Sequence, residues 1–171
     1  FPYTTLFRSV YATKKRIIAV LFLAKWNDFI FNLSTNKDSG IEMIELTERY
    51  ENALYEVYEN KSGYIYTLDG TTFVEGKTGY SEEIVSEKEV PVIRCEKVVD
   101  ILLHILNYEK EDKIKIFRFP DRPSYIPADN SDLIEKAISI FKNTGNSKVI
   151  DYCISKHPNL KDELLKQFYK I

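Results

Sequence analysis

The sequence predicts an α+β fold, and three observations predict it. Strand-like and helix-like stretches follow one another without strict alternation, which argues against a doubly wound sheet. Pro120, Pro123 and Pro127 fall within eight residues and separate a mixed N-terminal region from an all-helical tail. Apolar residues make up 44% of the chain and aromatics 13%, the composition of a packed interior rather than of a disordered segment. The net charge of −2 disfavours a nucleic-acid partner held through its phosphate backbone. Cys95 and Cys153 have no metal-ligand spacing and read as buried, reduced thiols of a cytoplasmic protein. The longest apolar run, Ile17 to Ala24, is far short of the roughly 20 residues that span a bilayer, so no membrane partner is expected.

The elements follow in chain order. Phe1 to Ser9, FPYTTLFRS, resembles residue for residue the translation of a sequencing-library adapter, and the only methionine is Met43. Residues 1–9 are therefore expected to be adapter-derived, with the natural sequence resuming at Val10 and its upstream part lost. Val10 to Thr13 reads as the end of a strand. Lys14 to Lys25 has helical spacing, with Ile17, Ile18, Leu21, Phe22 and Ala24 on one broad face. Phe29 to Phe31 reads as a strand, Asn32 to Gly40 as a polar loop, Ile41 to Leu46 as a strand and Thr47 to Glu59 as a helix. Gly63 to Asp69 alternates like a half-exposed strand, and Asp69-Gly70 turns the chain. Gly76 to Tyr80 is a loop. Glu83 to Ser86 and Val90 to Arg94 are short strands, and Glu96 to Tyr108 is a helix with Val99, Leu102, Leu103 and Leu106 inward. Ile114 to Phe119 is a strand. Beyond the prolines, Ser131 to Asn143, Ser147 to Lys156 and Asn159 to Tyr169 read as three helices, with Gly145 and Pro158 at their junctions.

Motifs with a fixed mechanism are missing: no phosphate-cradling Gly-rich loop, no His-Glu-x-x-His helix, no Gly-x-Ser-x-Gly turn and no metal site. His104 sits beside the apolar face of its helix as a core or boundary residue, and His157 reads as a surface residue of an interhelical turn. Asp121 to Tyr125 is rich in functional atoms, although a turn between sheet and tail explains it as well. Tyr64 and Tyr66 make an aromatic platform or are ordinary strand tyrosines. In Gly76 to Pro91 a glycine-containing loop leads into Glu83 at the start of a strand. Glu83 and Val85 share one strand face, Ile84 and Ser86 the other. With Val85 inward, Glu83 stands at the open end of that strand, where a carboxylate can hold sugar hydroxyls or stabilise developing positive charge. A solvated edge charge is the plainer reading of the same pattern.

Two stretches together resemble a known family. VYATKKRIIAVLFLAKWNDFIF (Val10 to Phe31) is similar to the second block of ADP-ribosyltransferase-like domains, and YIYTLDGTTFVEGKTGYSEEIVSEKEVPV (Tyr64 to Val92) to their later, glutamate-bearing block. Order and spacing match an uncharacterised bacterial group of such domains. The resemblance implies a split β-sandwich with flanking helices over residues 10–119, lacking its first strand. Residues 120–171 then form a Pro-rich turn and a short C-terminal helical segment outside that core. It implies NAD as substrate. Glu83 is the catalytic carboxylate, with Glu82 the alternative register, Tyr11 and Thr13 contact the cofactor, and Tyr80 faces an acceptor that no motif identifies. A fixed carboxylate of this kind stabilises the oxocarbenium-like sugar electrostatically. The first-strand His or Arg of the family has no counterpart here, so the chain is expected to be an inactive fragment of a transferase. The alternatives are a catalytically silent nucleotide- or protein-binding domain of the same fold, and an unrelated α+β interaction protein. No motif bears on oligomeric state.

Overall fold

The computed structural model describes residues 9–25, 27–36 and 42–170. Most of the expected artefact (1–8), the end of the expected polar loop (37–40) and Ile41 of the expected strand lie outside the described residues. In chain order the elements are β1 (Val10–Thr13), α1 (Arg16–Leu21), β2 (Phe31–Asn36), β3 (Met43–Glu48), α2 (Ala53–Tyr58), β4 (Gly63–Leu68) and β5 (Val74–Glu75). They continue with β6 (Glu83–Ser86), β7 (Val92–Val98), α3 (Ile101–Lys110), β8 (Ile114–Phe117), α4 (Asp132–Thr144), α5 (Lys148–Lys156), a 3₁₀ turn at Pro158–Leu160, and α6 (Lys161–Phe168). The fold is mixed α+β with three small open sheets among the described residues. The chain divides into two compact units, each assembled from two separate segments: residues 9–25 with Tyr58–Tyr108, and residues 27–57 with 109–170.

The first unit contains a sheet of order β1-β6-β5, the two-stranded ribbon β4-β7, and helices α1 and α3. Both pairings within the sheet and the pairing in the ribbon are antiparallel. Helix α1 buries Ile17, Ile18, Val20 and Leu21 and ends well before the expected Lys25. Two contacts end it there. Tyr58 Oη donates to the Leu21 carbonyl (2.9 Å), which another helical turn would have used. Leu23 packs against the backbone of Gly63, where an added Cβ would meet Leu23 Cδ2 at 2.9 Å.

The strand expected to stop at Arg94 runs on to Val98, paired with β4 from Gly63↔Val98 to Leu68↔Val92. Helix α3 therefore starts later than expected, and its phase shifts. Ile101 and Ile105 are buried, while Val99 and Leu103, expected inward, are exposed. His104 is half-buried on this helix. Cys95, expected buried, is exposed on β7, opposite the likewise exposed Tyr66. The expectation for Cys153 holds: it is buried, and burial pushes its thiol up to about 11, which makes it inert as a nucleophile.

The second unit contains the sheet β2-β3-β8, antiparallel between β2 and β3 and parallel between β3 and β8. Phe29 and Ile30, expected as strand, form a turn with Asp28 instead, because Asn27 Oδ1 accepts the Phe29 N–H (3.0 Å) and the Asn27 carbonyl accepts those of Ile30 and Phe31. The strand starts at Phe31 and takes in Asn32 to Asn36, expected as loop. Its polar side chains did not suggest a strand, but ladder bonds come from the backbone, and Leu33 lies opposite Leu46. Thr47 and Glu48 belong to β3 rather than to a helix. Glu48 Oε1 accepts the Leu54 N–H at the start of α2 (2.7 Å), and Oε2 accepts that of Phe119 (3.1 Å).

The three C-terminal helices form as expected, around Phe29, Leu133, Ala137, Ile138, Ile150, Cys153 and Leu164. Gly145 closes α4 with φ +68°, a left-handed conformation that costs glycine no steric penalty.

His157 was expected at the surface and is instead 2% exposed, at the centre of a polar hub. Its Nε2 donates to the Phe29 carbonyl (2.6 Å), leaving Nδ1 to accept from Asn130 Nδ2 (3.5 Å). Asn130 Nδ2 also donates to the Arg49 carbonyl (2.8 Å), and Asn130 Oδ1 accepts from Arg49 (3.4 Å) and Arg122 (2.9 Å). Arg49, itself buried, makes a two-pronged pair with Asp132 (3.0 and 2.8 Å). The Asn130 backbone sits at φ +60°, which Asn tolerates and Ala does not. Asn130→Ala should therefore lower the unfolding free energy by about 3 kcal/mol, read from urea denaturation.

Burial, and then the positive charge of Arg49, holds the His157 imidazole below its ordinary value, against the opposing pull of the Phe29 carbonyl and Asp132. Lys156 also disfavours the charged form, and the Tyr50 ring lies edge-on at 6.0 Å. Because the folded value lies below the unfolded one of about 6.5, this contribution is complete above that pH and is lost as pH falls below it. Between pH 6.5 and pH 5, wild-type stability should fall by up to about 1.4 kcal/mol per pH unit more than that of His157→Gln.

Candidate functional site

In the first unit, residues from β1, α1, the β4-β7 ribbon and the loop before β6 surround a cleft of about 830 Å³. Strand register sets what meets there. Thr13 lies opposite Glu83 and Tyr11 opposite Val85, and residues directly opposite in an antiparallel pair share a face. Tyr11, Thr13, Glu83 and Val85 therefore lie on one side of the sheet. Val85 is buried and Glu83 is half-buried at the strand's first position, the placement that strand alternation suggested. The structure brings all four sequence-selected residues, Tyr11, Thr13, Tyr80 and Glu83, to this one cleft.

Each is held by an identifiable local cause. Thr13 Oγ1 accepts the Lys15 N–H (3.1 Å), which fixes the turn from β1 into α1. The Glu83 N–H donates to the Tyr80 carbonyl (3.1 Å), and Thr78 Oγ1 bonds both the carbonyl and the N–H of Tyr80. The loop thus folds on itself and delivers Glu83 to the mouth of β6. Behind it, Ser86 is fully buried and tied to Thr72 through their hydroxyls (2.7 Å) and to the backbone of Lys88.

Glu82, the alternative carboxylate, is nearly covered and ion-paired with Lys15 (3.0 Å). The two neighbouring acids are therefore distinct: Glu82 is engaged by a lysine, and Glu83 stands at the strand opening. Lys14 pairs with Glu75, and Arg16 with Glu96 (2.6 Å), so the other cations on the cleft also have acidic partners.

Aromatic rings form part of the walls. Tyr11 (57% exposed), Tyr64, Tyr66 and Phe22 present ring surface to solvent, and Phe73 lines the cleft with them. Tyr64 and Tyr66 thus stand on the same side of the ribbon and line the cleft as a pair. Sequence reasoning missed Phe22, taken as core because its helix was drawn too long, and it missed Arg16, Phe73 and strand β5. Lys15–Glu82 left no local signal, since the partners are far apart in sequence.

Tyr80 is the electrostatic anomaly. Its ring packs against Phe22 with centroids 6.3 Å apart, and its hydroxyl is buried with no hydrogen-bond partner. Burial, reinforced by the negative charge of Glu82 and Glu83, raises the phenol well above its ordinary value. The group is thus a neutral O–H held in a cleft beside two carboxylates, an arrangement that costs folding stability and suits a ligand acceptor. Among the described residues no group of three or more His, Cys, Asp or Glu is placed to hold a metal ion, and no helix is long and apolar enough to cross a membrane. Comparison with protein-family models, with curated proteins and with solved structures gives no match.

Removing an unpartnered buried hydroxyl should not destabilise. Tyr80→Phe is expected to leave the unfolding free energy unchanged or raise it by up to about 1 kcal/mol, measured by thermal or urea unfolding. A loss of more than that would mean that the hydroxyl has a partner in solution.

Proposed function

We propose that the cleft of the first unit is the NAD site of an ADP-ribosyltransferase-like domain, with its sheets corresponding to a split β-sandwich. The observation that carries this reading is the register of β1 on β6, which sets Tyr11 and Thr13 beside Glu83 across some seventy residues of chain. Tyr11 offers an exposed ring for stacking a planar base, and Thr13 a hydroxyl at the turn below it. Glu83 is the carboxylate that bonds the ribose next to the scissile bond. Placed at the cleft mouth, it lowers the energy of positive charge developing on that sugar. The orphaned Tyr80 hydroxyl supports the fit, being a donor with no acceptor of its own. Tyr80 in this reading faces the acceptor, whose class is left open.

A second reading, binding without turnover, is favoured by a specific observation. Lys14 and Arg16, which line the cleft, are engaged by Glu75 and Glu96, and the adjacent Lys15 is engaged by Glu82, so these cations already have acidic partners. The two readings combine in one expectation: the chain binds NAD and does not hydrolyse it at an enzymatic rate.

Calorimetric titration with NAD, alongside an assay for released nicotinamide, tests both. The expected result is binding that Tyr11→Ala weakens by about tenfold, the loss of one stacking contact, with nicotinamide release at background. Absence of binding at millimolar NAD, or binding indifferent to both Tyr11→Ala and Glu83→Gln, sinks the NAD site. Sustained nicotinamide release abolished by Glu83→Gln would replace the silent reading with the catalytic one.

A further inference from the structure

The β4-β7 ribbon has an open side whose chemistry does not rest on the cleft reading. We propose that the outer edge of β7 is a self-association surface, on which the same strand of a second copy of this chain lies antiparallel about a two-fold axis through Cys95.

An unpaired edge is the starting point. Among the described residues β7 pairs with β4 alone, and no backbone bond outside that ribbon uses the N–H or C=O of Ile93 to Lys97. The side chains are open as well. Ile93 is 68% exposed, the Arg94 side chain 72%, and Cys95 and Lys97 are exposed with them. A strand edge of this kind, open and partly apolar, is a template for another strand.

The order of the side chains selects a second copy as that strand. Residues 92–98 read Val-Ile-Arg-Cys-Glu-Lys-Val, with opposite charges on either side of Cys95. An antiparallel copy centred on Cys95 sets Arg94 opposite Glu96 of the second copy, and Glu96 opposite its Arg94. Directly opposite ions of unlike sign stabilise a strand pair, and like ions destabilise it. Moving the axis to Glu96 would oppose two glutamates, and moving it to Arg94 two arginines. Charge therefore fixes the register as well as the partner.

Glu96 is placed to accept the additional bond. Arg16 holds its carboxylate (3.1 and 2.6 Å), while Arg94 of the same chain stands off at 4.0 Å. A carboxylate accepts from more than two donors, so Arg94 of the second copy completes the set. On the other face Tyr66 lies opposite Cys95 and Tyr64 opposite Lys97. Joining two ribbons continues that face as a four-stranded sheet, in which the Lys97 stem covers Ile93 of the second copy. Two strands alone make a marginal sheet, and four do not. The register shift beside Ile93 keeps the contact short, which places it at the weak end of specific interfaces.

Sedimentation of the full chain in reducing buffer, from micromolar to millimolar concentration, tests the proposal. The expected result is a reversible monomer–dimer equilibrium that stops at the dimer. Arg94→Glu, which opposes two carboxylates, and Ile93→Lys, which opposes two ammonium groups, should each weaken it by about tenfold or more. Both side chains are exposed, so the folded chain tolerates the changes, and circular dichroism checks this. A short bis-maleimide should link two copies through Cys95, one thiol adding to each maleimide, because opposed residues lie about 5 Å apart. Cys153 is buried, so Cys95→Ser should abolish the link. A monomer at every concentration overturns the proposal. So does a dimer indifferent to both charge variants, one that the reagent does not link through Cys95, or growth beyond two copies.

Discussion

Antiparallel pairing of residues 10–13 with residues 83–86 is the constraint on which the first unit depends. It closes a loop of some seventy residues, and such closure costs only slowly more entropy as loops lengthen, so four paired residues with buried neighbours suffice to hold it. Everything of chemical interest in that unit inherits its position from this register. A slip of one residue would turn Glu83 to the opposite side of the sheet, away from Tyr11 and Thr13. The folded loop at Thr78 and Tyr80, the Lys15–Glu82 ion pair and the Ser86–Thr72 bond all lie against the same two strands and oppose such a slip.

The sequence made the strongly patterned elements legible and failed where tertiary partners decide. Alternation in residues 63–69 and helical spacing in residues 131–169 survive almost unchanged in the fold. Strand β2 was invisible because Asn32, Ser34, Thr35 and Asn36 have the composition of a loop, and only pairing with β3 makes them a strand. The phase of α3 was misjudged because pairing of β7 with β4 extends the strand past Arg94, and so moves the helix start. His157 was misplaced for a different reason. Its position before a proline in a turn between helices suggests solvent, but the turn is roofed by Asn130, Arg49 and the Phe29 carbonyl. The cleft residues Tyr11, Thr13, Tyr80 and Glu83 were readable as a set, and Tyr64 and Tyr66 as one of two alternatives; Phe22 and Phe73 were not, since such rings are usually core.

Buried polar groups follow opposite patterns at neighbouring places. Around Asn130 the amide, the His157 ring and the Nη1 atoms of Arg49 and Arg122 are joined by hydrogen bonds. Around Thr47 and Arg122, and again at Tyr80, donors are left over. A satisfied network specifies structure, whereas an unsatisfied one stores free energy that a bound partner can release. The same side chain can take part in both: Arg122 donates to the Pro127 carbonyl (2.7 Å) and to Asn130 through one nitrogen, and holds its other terminal nitrogen unmet.

Each compact unit is stitched from two stretches of chain that are not consecutive, and this has a practical bearing on dissection of the molecule. No single cut yields either half. A polypeptide ending at Tyr108 would keep the Tyr11–Glu83 cleft but strand β3 without the parallel neighbour it meets at residues 114–117. One beginning at Glu109 would hold the helical cluster and β8 but not β3, the strand beside which β8 is laid. Excising residues 27–57, rejoining the flanks through a linker and ending the chain at Tyr108 is the operation that keeps every segment of the first unit and none of the second.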